Sequence, residues 1–238
     1  MRDRISSVDA VRGLAIVMMV AYHVFFDIRY FGIANVDLGG LPLVLLQRAT
    51  GALFVLVAGV SLTLSEQRNT EGYAHHFRRG LFLAGVALLI TLATWIYPHE
   101  GFIQFGVIHM LALSTLIAPL FFRFGRLNAA LGALVVLAGI CIGISSIQAD
   151  THWLFWLGID DPSYYALDNY PMLPWFGVVL IGMWLGQALF PGGKPAAGVP
   201  AKGNAQLAFL GRNSLAIYLA HQLVLVGLIL ALRSLGLL

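Results

Sequence analysis

The stretch GLAIVMMVAYHVFFDIRYF, from Gly13 to Phe31, decides the fold class. A helix needs about twenty mainly apolar residues to cross a hydrocarbon core of about 30 Å, and this stretch has that length. It is longer than a signal-peptide core, and the preceding MRDRISSVDAVR mixes acids with Arg. The segment is therefore expected to stay attached as a helix. Working outward, six more apolar runs are bounded by charge: Leu41 to Ser65, Gly80 to Tyr97, Phe105 to Phe122, Leu127 to Ile147, Met172 to Phe190 and Asn213 to Leu235. Backbone amides in lipid must be paired within the segment, which makes these runs helices. A closed strand barrel would alternate polar and apolar residues, and these runs do not. The expectation is an all-α, polytopic membrane bundle of about seven transmembrane helices, forming a single domain over residues 1–238.

Composition agrees. Of 238 residues, 59% are hydrophobic and 11% charged, with a mean hydropathy of +0.85. A soluble domain carries about a quarter charged residues. Apart from the Pro- and Gly-rich stretch Pro191 to Gly203, which reads as a loop, no low-complexity segment or internal repeat is visible. The single cysteine, Cys141, builds neither a disulfide framework nor a thiolate metal site, and no metal is expected.

Basic residues set the orientation. With a cytoplasmic amino terminus, the inner side receives Arg2, Arg4, Arg12, Arg68, Arg78, Arg79, Arg123, Arg126, Lys194, Lys202 and Arg212, which is 11 of the 14 Lys and Arg. The positive-inside rule then places the carboxyl terminus outside, in a multi-pass protein of the inner (cytoplasmic) cell membrane. Asp37, Glu100, Asp150, Asp160, Asp161 and Asp168 fall on the outer side. The outer segment Gln148 to Pro171, with its Trp and Tyr residues, is expected to lie partly along the interface as an amphipathic helix. A pI near 9.2 would suggest nucleic acid in a soluble protein. Here the basic helix ends serve orientation and anionic membrane lipid, and no nucleic-acid partner is expected.

The first helix carries a polar stripe. Residues eleven apart on a helix differ by about 20° in direction and about 16 Å in height, the spacing of Arg12 and His23. His23 and Asp27 are one turn apart, and Asp9 falls on the same line. Such groups cost several kcal/mol each when they face lipid, so the stripe is expected to face a protein interior or a wet cavity. An Asp beside a His fixes its tautomer, a pairing that general-base chemistry uses. The plain alternative for His23 is a packing histidine.

Other polar residues are placed by height. Arg48 on the second helix and His109 on the fourth lie at depths compatible with His23 and Asp27. Arg48 needs an anionic partner, either Asp27 in a structural salt bridge or a ligand. Ser214, Tyr218, His221 and Gln222 share one face of the last helix, as helix-to-helix contacts or as part of a site. Trp175 is placed as an interfacial anchor or a stacking surface for a sugar ring. His75 and His76, beside Arg78 and Arg79, are expected to form a solvated or lipid-facing basic edge.

Arg12, ten intervening residues and His23 resemble the first-helix motif of membrane acyltransferases of the acyltransferase-3 type. RISSVDAVRGLAI, from Arg4 to Ile16, narrows this: it is similar to the opening of the heparan-α-glucosaminide N-acetyltransferase catalytic-domain family, including its prokaryotic members. The resemblance continues through RATGALFVLVAGVS (Arg48 to Ser61), FGVIHM (Phe105 to Met110), PWFGV (Pro174 to Val178) and LGRNSLAIYLAHQ (Leu210 to Gln222). It implies transfer of an acetyl group from cytoplasmic acetyl-CoA to an acceptor outside, an amine or hydroxyl of an amino sugar or glycan. By position, Arg12 matches the motif Arg and His23 the motif His. The family's lysosomal enzyme carries its active histidine in the segment after the first span, whereas Arg29 to Pro42 here has no His. Direct transfer with His23 as base, oriented by Asp27, is therefore expected in preference to an acetyl-histidine step. Arg48, His109, Trp175 and His221 are then the acceptor-binding candidates. Arg12, Arg78, Arg79, Arg126 and Arg212 are the candidates for the phosphates of acetyl-CoA. A homodimer that completes a cavity is a further expectation for a bundle of only seven helices.

Other function classes stay open on the residues alone. A proton-coupled transporter would use Asp27, His23, His109 and Arg48 as a relay. A haem protein would take His23, His109 or His221 as axial ligands. A retinal protein fits less, because the last helix has no Lys for a Schiff base.

Overall fold

The computed structural model describes residues 4–145, 152–159 and 164–238. Arg2, Asp150, Asp160, Asp161 and part of the expected interfacial helix lie outside them. Among the described residues the chain is helical, without strands: α1 (Ser6–Tyr30), α2 (Leu41–Glu66), α3 (Tyr73–Ile96), α4 (Val107–Ile117), α5 (Leu127–Ser145), α6 (Met172–Leu189), α7 (Ala205–Arg212) and α8 (Ser214–Ser234). Short 3-10 turns occupy Ala118–Phe124, His152–Leu157 and Pro191–Gly193. Among the described residues seven spans are long and apolar enough to cross a membrane: α1, α2, α3, α4 continued to Phe124, α5, α6 and α8. Large apolar side chains such as Leu81, Phe82, Leu88 and Leu89 of α3 and Leu223, Val224 and Leu228 of α8 are exposed. Hydrocarbon accommodates such outward faces and water does not. The protein is a multi-pass membrane protein.

The chain forms two compact units, Met1–Phe54 with Pro200–Leu238, and Val55–Val199. In the first, α7 lies along the beginning of α1. A Cβ on Gly13 would stand 1.9 Å from the Leu207 carbonyl oxygen, and one on Gly211 would stand 1.8 Å from that of Asp9. Only glycine lets two helix backbones approach so closely. Asn204 caps α7 by accepting from the amides of Gln206 and Leu207, both at 3.0 Å. Such a cap is a legible helix start, yet α7 is missing from the sequence expectation because eight residues cannot span a membrane. After Asn213 the chain continues as α8, which packs on α1. Arg233 of α8 donates to the Phe31 carbonyl at the end of α1.

The second unit is built on small residues too. Gly132 of α5 and Gly177 of α6 face each other's carbonyls, so that an added Cβ would meet oxygen at 2.6 and 2.5 Å. Thr63 of α2 donates to the Met183 carbonyl of α6 at 2.9 Å, fully buried. α3 packs on α4, with Gly80 against Leu116.

Candidate active site

The polar stripe of α1 keeps to the protein side. Asp9 and Asp27 are buried, and Arg12 and His23 are half-buried. Arg12 Nη1 donates to Asp9 Oδ1 across one turn, at 2.9 Å. Further along the same helix, α8 supplies the partners. Gln222 Nε2 donates to Asp27 Oδ1 at 2.6 Å, and the rings of His23 and His221 meet edge to face with centroids 4.6 Å apart. Tyr218 closes the group at 5.8 Å from His221.

Backbone carbonyls fix both imidazoles. His23 Nδ1 lies 2.9 Å from the Met19 carbonyl oxygen, and His221 Nδ1 lies 2.6 Å from that of Tyr218. A carbonyl only accepts, so each Nδ1 carries the proton and each neutral ring keeps its lone pair on Nε2. The Nε2 of His221, Oδ2 of Asp27 and Oε1 of Gln222 are buried and have no hydrogen-bond partner in the protein. Unsatisfied polar atoms are costly where water is excluded, and in native structures they call for an explanation. With Asp27 ionised, all three are acceptors, and the Nε2 of His23 is a fourth. The cluster is short of donors, which is what a ligand bearing N–H or O–H groups would supply.

Two expected pairings do not form. Asp27 does not bond His23. Helical side chains lean towards the amino-terminal end, which takes the His23 ring back to Met19 while Asp27 is met by Gln222 from α8. Nor does Arg48 form a salt bridge with Asp27; it is exposed on α2. Gln222, present in the sequence pattern as one more polar residue of the last helix, is the contact that spacing on a single helix cannot assign.

His109 and Trp175 belong to the second unit. His109 Nε2 donates to Thr91 Oγ1 at 3.0 Å, while Thr91 donates to the Ile103 carbonyl at 2.7 Å. His109 Nδ1 accepts from the Gly106 amide at 3.3 Å. Both ring nitrogens, expected to face substrate, thus serve the start of α4, where Asp168 Oδ2 also accepts from the Val107 amide at 3.0 Å. Replacing His109 with Ala removes two hydrogen bonds, at about 1 kcal/mol each, and is expected to lower the melting temperature by roughly 4–8 °C with activity per folded molecule unchanged. A raised KM for acceptor at unaltered stability would contradict this.

Trp175 is buried rather than placed at a lipid surface, its ring 4.6 Å from that of Tyr170. His76, expected at a solvated or lipid-facing edge, is wholly buried, with Nε2 donating to Glu66 Oε2 at 2.6 Å. Of the five candidate phosphate ligands, Arg12 and Arg212 lie in the first unit and Arg78, Arg79 and Arg126 in the second. Arg78 is paired with Glu71. Arg79, Arg126 and Arg212 are exposed. Among the described residues no three His, Cys, Asp or Glu side chains gather into a metal-binding group.

Residues 4–223 match the family model described as heparan-alpha-glucosaminide N-acetyltransferase, catalytic. The chain belongs to this family. No curated protein and no solved structure matches it. The matched region takes in Asp9, Arg12, His23, Asp27, His221 and Gln222, so the whole α1–α8 cluster lies inside a membrane acetyltransferase domain. For acetyl transfer the family uses acetyl-CoA, and the chemistry asks for a base close to the attacking atom and for polar groups that hold it. His221 Nε2, Asp27 Oδ2 and Gln222 Oε1, on side chains that adjoin His23, are unpartnered acceptors of that chemical type.

Proposed function

We propose that this protein transfers an acetyl group from cytoplasmic acetyl-CoA to an amine or hydroxyl of an amino sugar or glycan on the outer side of the inner cell membrane. The observation that carries the reading is the donor-poor cluster of His23, Asp27, His221 and Gln222, with buried, unpartnered acceptor atoms on the last three, in a chain of this family. Arg12 marks the donor end. Its fork, held by Asp9, binds a phosphate of CoA, and the pantetheine arm runs along α1 for about 16 Å to place the thioester beside His23. Asp27 and Gln222 hold the acceptor. His23 Nε2 takes the proton of the attacking nitrogen or oxygen as the new C–N or C–O bond forms, the C–S bond then breaks, and the proton passes to the thiolate sulfur.

The test uses proteoliposomes of the full chain with radiolabelled acetyl-CoA presented on the side of the Arg12 end and glucosamine on the other. Labelled N-acetylglucosamine is the expected product. Arg12→Lys keeps the charge beside Asp9 but loses the two-pronged fork, so KM for acetyl-CoA is expected to rise about tenfold with kcat little changed. Absence of acetyl transfer, together with proton-coupled uptake of glucosamine, would replace this reading by that of a transporter.

A further inference from the structure

The cluster contains two imidazoles, and the transfer described above uses one. This inference rests on that reading and concerns what the second does. An alkyl amine near neutral pH is an ammonium ion without a lone pair. Its acetylation is R–NH3+ plus CH3CO–S–CoA giving R–NH–CO–CH3, HS–CoA and H+. Nitrogen therefore loses two protons, one before it can attack and one as the adduct collapses. Only the second is needed by the leaving thiolate. The first must be taken up and released separately.

We infer that His221 is the base that converts the bound ammonium into a free amine, while His23 takes the second proton and returns it to sulfur. His221 meets the requirements independently of His23. Its Nδ1–H is spent on the Tyr218 carbonyl, which leaves one lone pair, on Nε2. That Nε2 is buried and has no protein partner. It belongs to the same small group as Asp27 Oδ2 and Gln222 Oε1, two further unsatisfied acceptors. A hydroxyl brings one O–H to such a lining, whereas an ammonium brings three N–H groups and a positive charge for the Asp27 carboxylate. The two ring centroids lie 4.6 Å apart, edge to face, so both imidazoles belong to one small site where a single bound nitrogen can give up its protons in turn. The ionisable groups facing His221 are His23 and Asp27 of α1 and Tyr218 of its own helix. α7, which also packs on α8, carries only Arg212, two turns or more before His221 in sequence.

The experiment compares wild type with His221→Gln and His221→Asn, which keep a polar side chain but cannot take up a proton at neutral pH. The full chain in lipid nanodiscs is assayed with acetyl-CoA and either glucosamine or an arylamine, whose nitrogen is already uncharged near neutrality. With glucosamine, both variants are expected to lose about 100-fold in kcat/KM at about pH 6. They recover to within about threefold of wild type at about pH 9.5, where the amine is free. With the arylamine they stay within about threefold of wild type throughout. Equal losses at every pH, or equal losses for both acceptors, would make His221 a structural residue and overturn the inference. Full activity of the variants at low pH would also overturn it. A wild-type protein that acetylates neither acceptor would remove the acetyltransferase reading itself, an outcome distinct from any of these.

Discussion

His23→Gln is expected to lower kcat for acetyl transfer about 1,000-fold, within the range that general-base catalysis contributes, with KM for acetyl-CoA little changed. The substitution isolates the chemistry. Gln keeps an uncharged polar side chain of comparable length where His23 Nδ1 meets the Met19 carbonyl, and it has no basic nitrogen. What is lost is the lone pair on Nε2. The same proton must leave the attacking atom whether it starts as ammonium, amine or hydroxyl, so the loss is expected at every pH and with every acceptor. This separates His23 from His221, whose replacement is expected to matter only while the acceptor is protonated. Initial rates of acetyl transfer by purified protein, normalised to the folded fraction from size-exclusion chromatography, make the measurement. Activity within a few-fold of wild type would take the base role away from His23.

The second large effect is on folding. Gly211→Val is expected to prevent α7 from docking on α1, because the new Cβ would sit 1.8 Å from the Asp9 carbonyl oxygen. The obstacle is backbone of a continuous helix, which cannot rotate aside as a side chain would. Gly211→Ala already introduces that Cβ, at a cost of about 3 kcal/mol by the usual penalty for overpacking, or roughly 6–12 °C in melting temperature for a chain of this size. Valine adds two methyl groups to the same collision and is expected to leave little folded protein. Gly85→Ala is the control, since nothing lies within 4 Å of its Cβ position and Gly in a helix gains from the exchange. Thermal unfolding followed by fluorescence in detergent distinguishes the three. A Gly211→Ala protein as stable as Gly85→Ala would mean that α7 does not lie as close to α1 as the backbone places it. The contact also bears on the donor end we propose, because the Asp9 carbonyl that Gly211 approaches belongs to the residue holding Arg12.

The seven spans were legible because hydropathy over about twenty residues is a bulk property, and lipid permits no other use of such a run. Their ends were less so. α1 begins at Ser6 and α3 at Tyr73, each about two turns before its apolar core, because a helix continues as long as its backbone bonds are made and not only while it is apolar. α7 escaped for the opposite reason. It is too short for a hydropathy signal, and its only marks are the Asn204 cap and the small residues that let it approach α1. The inward side of the stripe on α1 was also readable, since a periodicity of 3.6 residues fixes which residues share a face. Partners on other helices were not. Asp27, expected with His23 or Arg48, is held by Gln222; His109, a candidate for holding the acceptor, has both ring nitrogens engaged at the start of α4; His76, expected at a solvated or lipid-facing edge, is buried against Glu66.

By itself, then, the sequence determined a helical membrane protein, the polar face of its first helix and the residue types available for acetyl transfer. These follow from composition and from the geometry of single helices, which are local. Only the tertiary structure decided that His221 and Gln222 stand against His23 and Asp27, which ring nitrogens keep a lone pair, and which buried oxygens remain without a donor. Those depend on where α8 lies along α1, and that placement comes from packing between segments almost two hundred residues apart in the chain.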